Sequence, residues 1–202
     1  MDESRRERKK RQTRRLIAET AIRLFSEQGY EQTTVAQIAT AADVATKTFF
    51  NHFPSKEAVL FPDTGRNAAV AVEVIADRKP DEPVADLLAR AYEAMLADHR
   101  AESAGRDDRE LRELYTRLIM TVPALQARAL RLEFAEQRTI AAALLRACPD
   151  VLDAISAAAV VGAMVGAVQG AALTSLEAGQ SEKDFWKAMR RGIDIGLYGL
   201  GG

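Results

Sequence analysis

The spacing of apolar residues is helical along almost the whole chain. Ile17, Ala21, Leu24 and Phe25 recur at intervals of three and four residues, and Leu111, Leu114, Tyr115, Leu118 and Ile119 repeat the pattern. Convincing runs of alternating apolar and polar residues, which are typical of half-buried strands, do not occur. Glycine, proline and polar breaks divide the chain into about nine segments. The pattern predicts an all-α protein.

Local sequence chemistry marks two helix starts and one domain boundary. Pro123 suits the first turn of a helix, and Ser181 with Asp184 is a capping pair that opens the last one. The sharpest change in composition falls near Leu60, where a basic, Thr-rich segment gives way to an Ala-rich, mildly acidic remainder. We therefore expect a basic arm at residues 1–10, one domain at 11–60 and another at 61–202.

Residues 34–53 predict two short helices joined by a tight turn. Thr34 and Gln37 form a capping box, and Ala42-Asp43 ends the first helix. The buried side of the second helix comes from Val44, Phe49 and Phe53, and its outward positions, none of them acidic, are Thr46, Lys47, Thr48, Phe50, Asn51 and His52. Such a helix can lie in the major groove of DNA, although a plain helical hairpin explains the spacing equally well.

The near-neutral charge of the 202-residue chain conceals two unlike regions. Its 28 Lys and Arg residues against 29 Asp and Glu residues give −1, but residues 5–15 hold eight basic side chains and a single acid, Glu7. Taken alone, this basic run is either a solvated, frayed terminus or an arm that binds an anion.

The first third of the chain, roughly residues 11–71, resembles the tetracycline-repressor (TetR) family of bacterial transcriptional regulators. The matching segments are Phe25-Ser-Glu-Gln-Gly-Tyr30, Thr33-Thr34-Val35, Ile38-Ala39, Val44 and Thr48-Phe49-Phe50-Asn51-His52-Phe53-Pro54-Ser55-Lys56-Glu57. Three positions depart from the family pattern: Asp43 replaces a glycine, Ala45 a capping serine and Phe50 a tyrosine. The resemblance implies an N-terminal three-helix DNA-binding domain with a helix-turn-helix, followed by a larger helical domain for ligand binding and dimerisation.

The same resemblance implies which residues contact double-stranded operator DNA. Thr34 and Lys56 would bind phosphates at helix N-termini, and His52 would hold the backbone. Bases or adjacent phosphates would be contacted by Thr46, Lys47, Thr48 and Asn51, whereas Phe50 keeps the ring but lacks the phosphate-binding hydroxyl. The basic run then becomes a DNA-binding arm that contacts phosphates or an adjacent minor groove.

The middle helices are expected to enclose a small effector, again as the resemblance implies, and the apolar character of the candidate residues indicates that the effector is lipophilic. The candidate contacts, each of which is more readily explained as ordinary core, are Tyr92, Met95, Tyr115, Phe134, Gln137, Met164 and Trp186. The run Thr121-Val-Pro-Ala-Leu-Gln, with Phe49-Phe50 and Pro54-Ser-Lys-Glu57, is faintly similar to a subgroup that responds to acyl-CoA-like molecules.

One uncharged stretch, Ala154–Leu176, has the length of a membrane span and carries Gly162, Gly166 and Gly170 at four-residue spacing. Because most of its residues are small or polar, we expect close helix packing and no membrane contact. The resemblance implies that the last two helices, Asp150–Ala178 and Ser181–Leu200, pair across a homodimer, with these glycines and Ile193 at the interface.

No catalytic motif occurs after Phe61, so an enzyme is not expected. With one cysteine, Cys148, and two histidines, the chain can form neither an internal disulfide nor a Cys/His zinc site, and we expect no metal and no cofactor. No secretory signal is apparent, which favours the cytoplasm. The expected function is a repressor that a small effector releases from its operator. A helical scaffold with a relict motif is the alternative, which Ala45 and Phe50 favour.

Overall fold

The computed structural model describes residues 5–61, 65–103 and 109–200, and this part of the chain is helical with no strand. It contains nine α-helices and a 3-10 turn at Glu57–Val59. The helices are α1 (Arg5–Gln28), α2 (Val35–Ala41), α3 (Thr46–His52), α4 (Arg66–Ala76), α5 (Val84–Ser103), α6 (Arg109–Thr121), α7 (Pro123–Ala147), α8 (Ala154–Glu177) and α9 (Glu182–Tyr198). The predicted all-α class is confirmed.

Unit 1 comprises residues 1–64 and 108–130. It holds α1, α2, α3, the 3-10 turn, α6 and the first turns of α7. Its core contains Phe25, Phe49 and Phe53 together with Leu118 and Leu125. Unit 1 therefore includes residues 108–130, which the sequence analysis assigned to the second domain. This segment belongs to unit 1 because the apolar faces of α6 and early α7 complete its core.

Unit 2 comprises residues 65–107 and 131–202. Its core is built from α4, α5, α8, α9 and the later part of α7, with Leu87, Leu88, Ile140, Leu144 and Met164 among the fully buried side chains. These positions recur at helical spacing, so each helix contributes one apolar stripe.

Helices α8 and α9 pack closely because α9 carries two glycines where they meet. A Cβ atom on Gly192 would lie 2.8 Å from the carbonyl oxygen of Ala167 and 2.9 Å from the Cα of Val168. A Cβ on Gly196 would lie 3.1 Å from the Cβ of Ala167. The close approach thus depends on α9, whereas the predicted stripe of glycines lies on α8.

The predicted helix starts are present. Pro123 is the first residue of α7, and the Ser181 hydroxyl accepts a hydrogen bond from the Asp184 N–H at 3.2 Å. Sequence reasoning missed Asp153, whose carboxylate accepts from the Ser156 N–H at 2.7 Å and begins α8. Within the described residues, α8 is the one helix long and apolar enough to cross a membrane by length and composition.

Candidate nucleic-acid interface

The first helix of the predicted motif is held by a complete capping box. The Thr34 Oγ1 accepts from the Gln37 N–H at 3.2 Å, and the Gln37 Oε1 accepts from the Thr34 N–H at 2.8 Å. This reciprocal pair satisfies two backbone donors that a helix end would otherwise leave unpaired. Thr34 is exposed, but its hydroxyl already takes part in the cap.

The turn between α2 and α3 contains two of the three positions that depart from the family pattern, Asp43 and Ala45. Asp43 has a φ of +50°, the left-handed conformation for which glycine is the usual residue. The Val44 N–H then donates to the Ala39 carbonyl at 2.9 Å. Ala45 precedes α3 and supplies no side-chain cap, as predicted, and Thr46 does not replace it.

Helix α3 buries one aromatic side and exposes a polar one. Phe49 and Phe53 are 0% and 1% exposed, and their ring centroids lie 5.8 Å apart. Thr46, Lys47 and Asn51 are exposed, whereas Thr48 and His52 are partly exposed. Phe50 is 52% exposed. The accessible surface of the helix therefore carries a cation, hydroxyls and an amide, which are groups that read base edges and hold phosphates. It also carries the exposed ring of Phe50.

Arg14, on α1, contacts the C-terminal end of α3. Its Nη1 donates to the His52 carbonyl at 2.6 Å, and its guanidinium carbon lies 4.4 Å from the centroid of the Phe53 ring. A cation at a helix C-terminus is also favoured by the helix dipole. Sequence reasoning assigned Arg14 to the DNA-binding run, but its spacing from Ile17 and Ala21 places it on the buried side of α1.

The remaining basic residues of the run form the exposed start of α1 rather than a separate arm. The helix begins at Arg5, so residues 5–10 are helical, and residues 1–4 of the predicted arm lie outside the described residues. The exposed cations are Arg5, Arg6, Arg8, Lys9, Lys10, Arg11 and Arg15. Arg15 pairs with Glu19 one turn later at 2.5 Å. Most of the run is therefore a positively charged helical surface.

Lys56 does not occupy the predicted position at the start of a fourth helix. It precedes the 3-10 turn, and its Nζ donates to the carbonyls of Tyr30 at 2.7 Å, Thr33 at 3.1 Å and Glu31 at 3.3 Å. The ammonium also lies 4.3 Å from the Tyr30 ring centroid. An ammonium group has three donors, and all three have acceptors within the chain. Lys56 thus stabilises the loop before α2, and its ammonium has no donor left for the predicted phosphate contact.

His52 lies in a setting that disfavours its charged form. Burial lowers the pKa of His52, and the positive charges of Arg14 and Lys10 lower it further. Its Nδ1 is buried without a hydrogen-bond partner among the described residues. This setting therefore favours the neutral imidazole, which can contact DNA through a hydrogen bond.

The effector candidates are divided between the two units. Tyr115 belongs to unit 1, whereas the other candidates belong to unit 2. Tyr92 is 4% exposed, Met164 is fully buried, and Phe134 is 61% exposed. Trp186 lines an open groove between α5 and α9, where its Nε1 donates to Glu182 at 3.3 Å. Met95 and Gln137 are partly buried on α5 and α7.

The residues predicted for a dimer interface have different surroundings. Gly166 and Gly170 are exposed, and a Cβ at either position would have no neighbour within 4 Å. A Cβ on Gly162 would lie 3.8 Å from the Oε1 of Gln137 in the same chain. Ile193 is instead 2% exposed in the core of unit 2, so it is not available to a partner.

Comparisons with known proteins agree with the geometry. The family model for bacterial regulatory proteins of the tetR family matches residues 17–61. The chain is 36% identical over 126 residues to the HTH-type transcriptional regulator TcmR of Streptomyces glaucescens, which is 62% of this chain and 56% of TcmR. It is 46% identical over 46 residues to the uncharacterized HTH-type regulator YuxN of Bacillus subtilis, or 23% of this chain and 16% of YuxN. The chain thus spans little more than half the length of TcmR.

Solved structures share the fold over nearly the whole chain. The complex of triclosan with SmeT, a Stenotrophomonas maltophilia repressor, has a TM-score of 0.58 at 19% identity and covers 92% of this chain and 90% of that one. Thermus thermophilus FadR in complex with lauroyl-CoA has a TM-score of 0.51 at 23% identity and covers 93% of this chain and 94% of that one.

Proposed function

Because the chain belongs to the TetR family of bacterial transcriptional regulators, we propose that it is a homodimeric repressor that binds operator DNA through α3 in the cytoplasm and is released by a small lipophilic effector. The observation that carries the proposal is the polar surface of α3, where Lys47 and Asn51 are exposed above a buried pair of phenylalanines. Lys47 and Asn51 would read base edges, and Thr46 and Thr48 would hold phosphates.

The geometry of operator DNA supports the proposed homodimer. One seven-residue recognition helix reads a single half-site, and paired half-sites lie roughly 34–36 Å apart on one face of the duplex. We propose that the copies associate through the uncovered face of α8, where Gly166 and Gly170 allow close approach, and that this face does not contact lipid. Ile193 is not part of this proposal.

The effector would act by binding more tightly to the conformation that does not bind DNA. An effector with equal affinity for both conformations would leave their populations unchanged, however tightly it binds. A lipophilic ligand is supported by the apolar core of unit 2 and by the lauroyl-CoA and triclosan in two proteins of similar fold.

Operator binding is tested by fluorescence anisotropy with a DNA fragment from upstream of the gene. We expect Lys47→Ala and Asn51→Ala each to reduce discrimination between this fragment and a scrambled one by roughly tenfold or more. Lys183→Ala, which removes an exposed lysine from α9, is the matched control and should leave discrimination unchanged. Discrimination that survives both changes in α3 would contradict the proposed recognition surface.

A further inference from the structure

A buried tyrosine hydroxyl in unit 2 has no hydrogen-bond partner among the described residues. Tyr92, on α5, is 4% exposed and belongs to the same core cluster as Ile140, Val161 and Met164. Its Oη is buried and makes no hydrogen bond with any of them. A buried hydroxyl in that condition costs free energy unless another molecule satisfies it.

Two glutamates on α7, Glu133 and Glu136, share a helical face with Ile140, which belongs to the same core cluster as Tyr92. Glu133 and Glu136 are partly buried, and their charges add to the effect of burial in raising the pKa of Tyr92. Glu133 accepts a hydrogen bond from the Gln137 amide at 3.0 Å, and Glu136 accepts one from the Gly65 N–H at 3.3 Å. Each carboxylate therefore accepts a hydrogen bond from a neutral donor of the same unit.

Neither glutamate has a cationic partner in the part of the chain that the structure describes. No Lys, Arg or His side chain there lies within 4.0 Å of either carboxylate, although both are partly removed from water. Burial raises the pKa of Glu136, and the charge of Glu133 raises it further. Two negative charges beside apolar side chains without a compensating cation form an unfavourable arrangement, and a bound cation would relieve it.

Helix α8 presents a glycine, Gly162, to the Gln137 side chain of the same cluster. The nearest atom to a Cβ on Gly162 would be the Gln137 Oε1 at 3.8 Å, so the glycine presents no side chain towards α7 at this point. The surroundings therefore combine an aromatic ring, two carboxylates and an amide with apolar core residues. This combination suits a positive charge carried on an apolar body.

We propose that Tyr92, Glu133, Glu136 and Gln137 form the polar end of an effector site that takes a lipophilic monocation, such as a substituted ammonium or phosphonium ion. This rests on the proposed function, because it assigns a chemical class to the effector of that regulator. It also argues against acyl-CoA-like effectors, since the phosphates of such a molecule would be repelled by the two glutamates.

Two probes of nearly the same shape and opposite charge test the assignment. Tetraphenylphosphonium and tetraphenylborate are titrated separately into the purified full-length chain by isothermal calorimetry, and the ratio of their Kd values is compared among variants. We expect Glu133→Gln with Glu136→Gln to reduce the preference for the phosphonium at least tenfold. Glu73→Gln, which removes an exposed carboxylate from α4, should leave the ratio unchanged.

Tyr92→Phe provides a second readout that does not depend on the glutamates. It should weaken phosphonium binding severalfold while leaving the thermal midpoint unchanged or higher, because it removes an unsatisfied buried hydroxyl. A Kd ratio that is the same in the wild type and the Glu133→Gln, Glu136→Gln variant overturns the proposal. If the double variant fails to fold, each single variant is judged by the same ratio.

The DNA-binding experiment is kept separate from these titrations. A chain that shows the charge preference but does not bind its operator contradicts the proposed function and supports the cation site. A chain that binds its operator but shows no charge preference supports the function and overturns the cation site.

Discussion

Lysines and arginines of this chain have different roles according to their burial and contacts. Lys47 projects from α3 into solvent, whereas the Lys56 ammonium is surrounded by three carbonyls. Arg14 and Arg15 are neighbours in sequence, but Arg14 holds the end of α3 and Arg15 pairs with Glu19 on the surface of α1. Charge alone therefore does not identify a DNA contact in this chain.

The difference between Arg14 and Arg15 is measurable. Arg14→Ala should lower the free energy of unfolding by about 1–2 kcal/mol, because it removes a charged hydrogen bond and a cation–π contact. Arg15→Ala, which removes the same charge, should cost less than about 0.5 kcal/mol. Urea unfolding followed by circular dichroism measures both, and equal losses would contradict the role given to Arg14.

Glu82 predicts a specific response to acid. Its carboxylate receives Arg90 Nε at 3.0 Å and Nη2 at 2.9 Å, and these hydrogen bonds are the main cause that lowers its pKa from 4.5 to about 2. The stabilisation is complete above pH 4.5, where both folded and unfolded carboxylates are ionised, and is lost as the pH falls towards 2.

The corresponding experiment compares urea midpoints at about pH 5 and about pH 3, on either side of the unfolded pKa. Glu82→Gln should be less stable than the wild type at the higher pH, and the difference should shrink at the lower one. Glu73→Gln serves as the control for removing an exposed carboxylate. A wild-type advantage that is constant with pH would show that Glu82 acts by packing rather than by charge.

At the scale of elements, the sequence predicted where helices begin and end better than which elements pack against each other. The capping box at Thr34 and the serine cap at Ser181 are local, because the interacting residues lie three positions apart. The engagement of Lys56 with Tyr30 spans 26 positions, and the packing of Leu118 and Leu125 into unit 1 joins still more distant segments. Periodicity identifies an apolar face but not the element that covers it.

The glycines of the last two helices show the same limit. The four-residue spacing of glycines predicted close packing through α8. Among the glycines of these two helices, Gly192 on α9 has the least space for a side chain. A glycine in sequence does not reveal whether its missing side chain faces a neighbouring backbone or solvent. Only the three-dimensional arrangement separates the two cases.

Exchanging glycines for alanine tests this distinction. Gly192→Ala should lower the free energy of unfolding by about 1–3 kcal/mol, because the new methyl group meets the backbone of α8. Gly166→Ala has open space within its own chain and should be neutral or stabilising by up to about 1 kcal/mol through helix propensity, when unfolding is measured at a protein concentration at which the proposed dimer is dissociated. Thermal unfolding separates the two, and a Gly192→Ala chain as stable as Gly166→Ala would contradict the packing described for α9.

At the scale of the whole molecule, near-neutrality arises from two opposed regions. Residues 1–60 carry 11 basic and 8 acidic side chains, and residues 61–202 carry 17 and 21, so the regions sum to +3 and −4. The exposed cations at the start of α1 concentrate the positive charge on the unit that holds α3. Such a distribution favours association with a polyanion in spite of the net charge.

The salt dependence of DNA binding measures this contribution. Lys9→Gln with Lys10→Gln should flatten the plot of log affinity against log salt by up to about 0.9 for each phosphate that α1 no longer neutralises. Discrimination between operator and scrambled DNA should change little, since α1 is expected to bind phosphates rather than bases. Lys183→Gln on α9 is the control, and an equal flattening by it would contradict the role given to α1.

The contact at Gly192 also limits how α8 and α9 can slide past each other. A shift by one residue requires a helix to turn by about 100°, which would bring the side chain of Arg191 or Ile193 to a point that has no room even for a methyl group. The pair is therefore held in a single register. In the proposed dimer, its outer face would meet a second copy in a preorganised shape, and association would lose less conformational entropy than with two independently mobile helices.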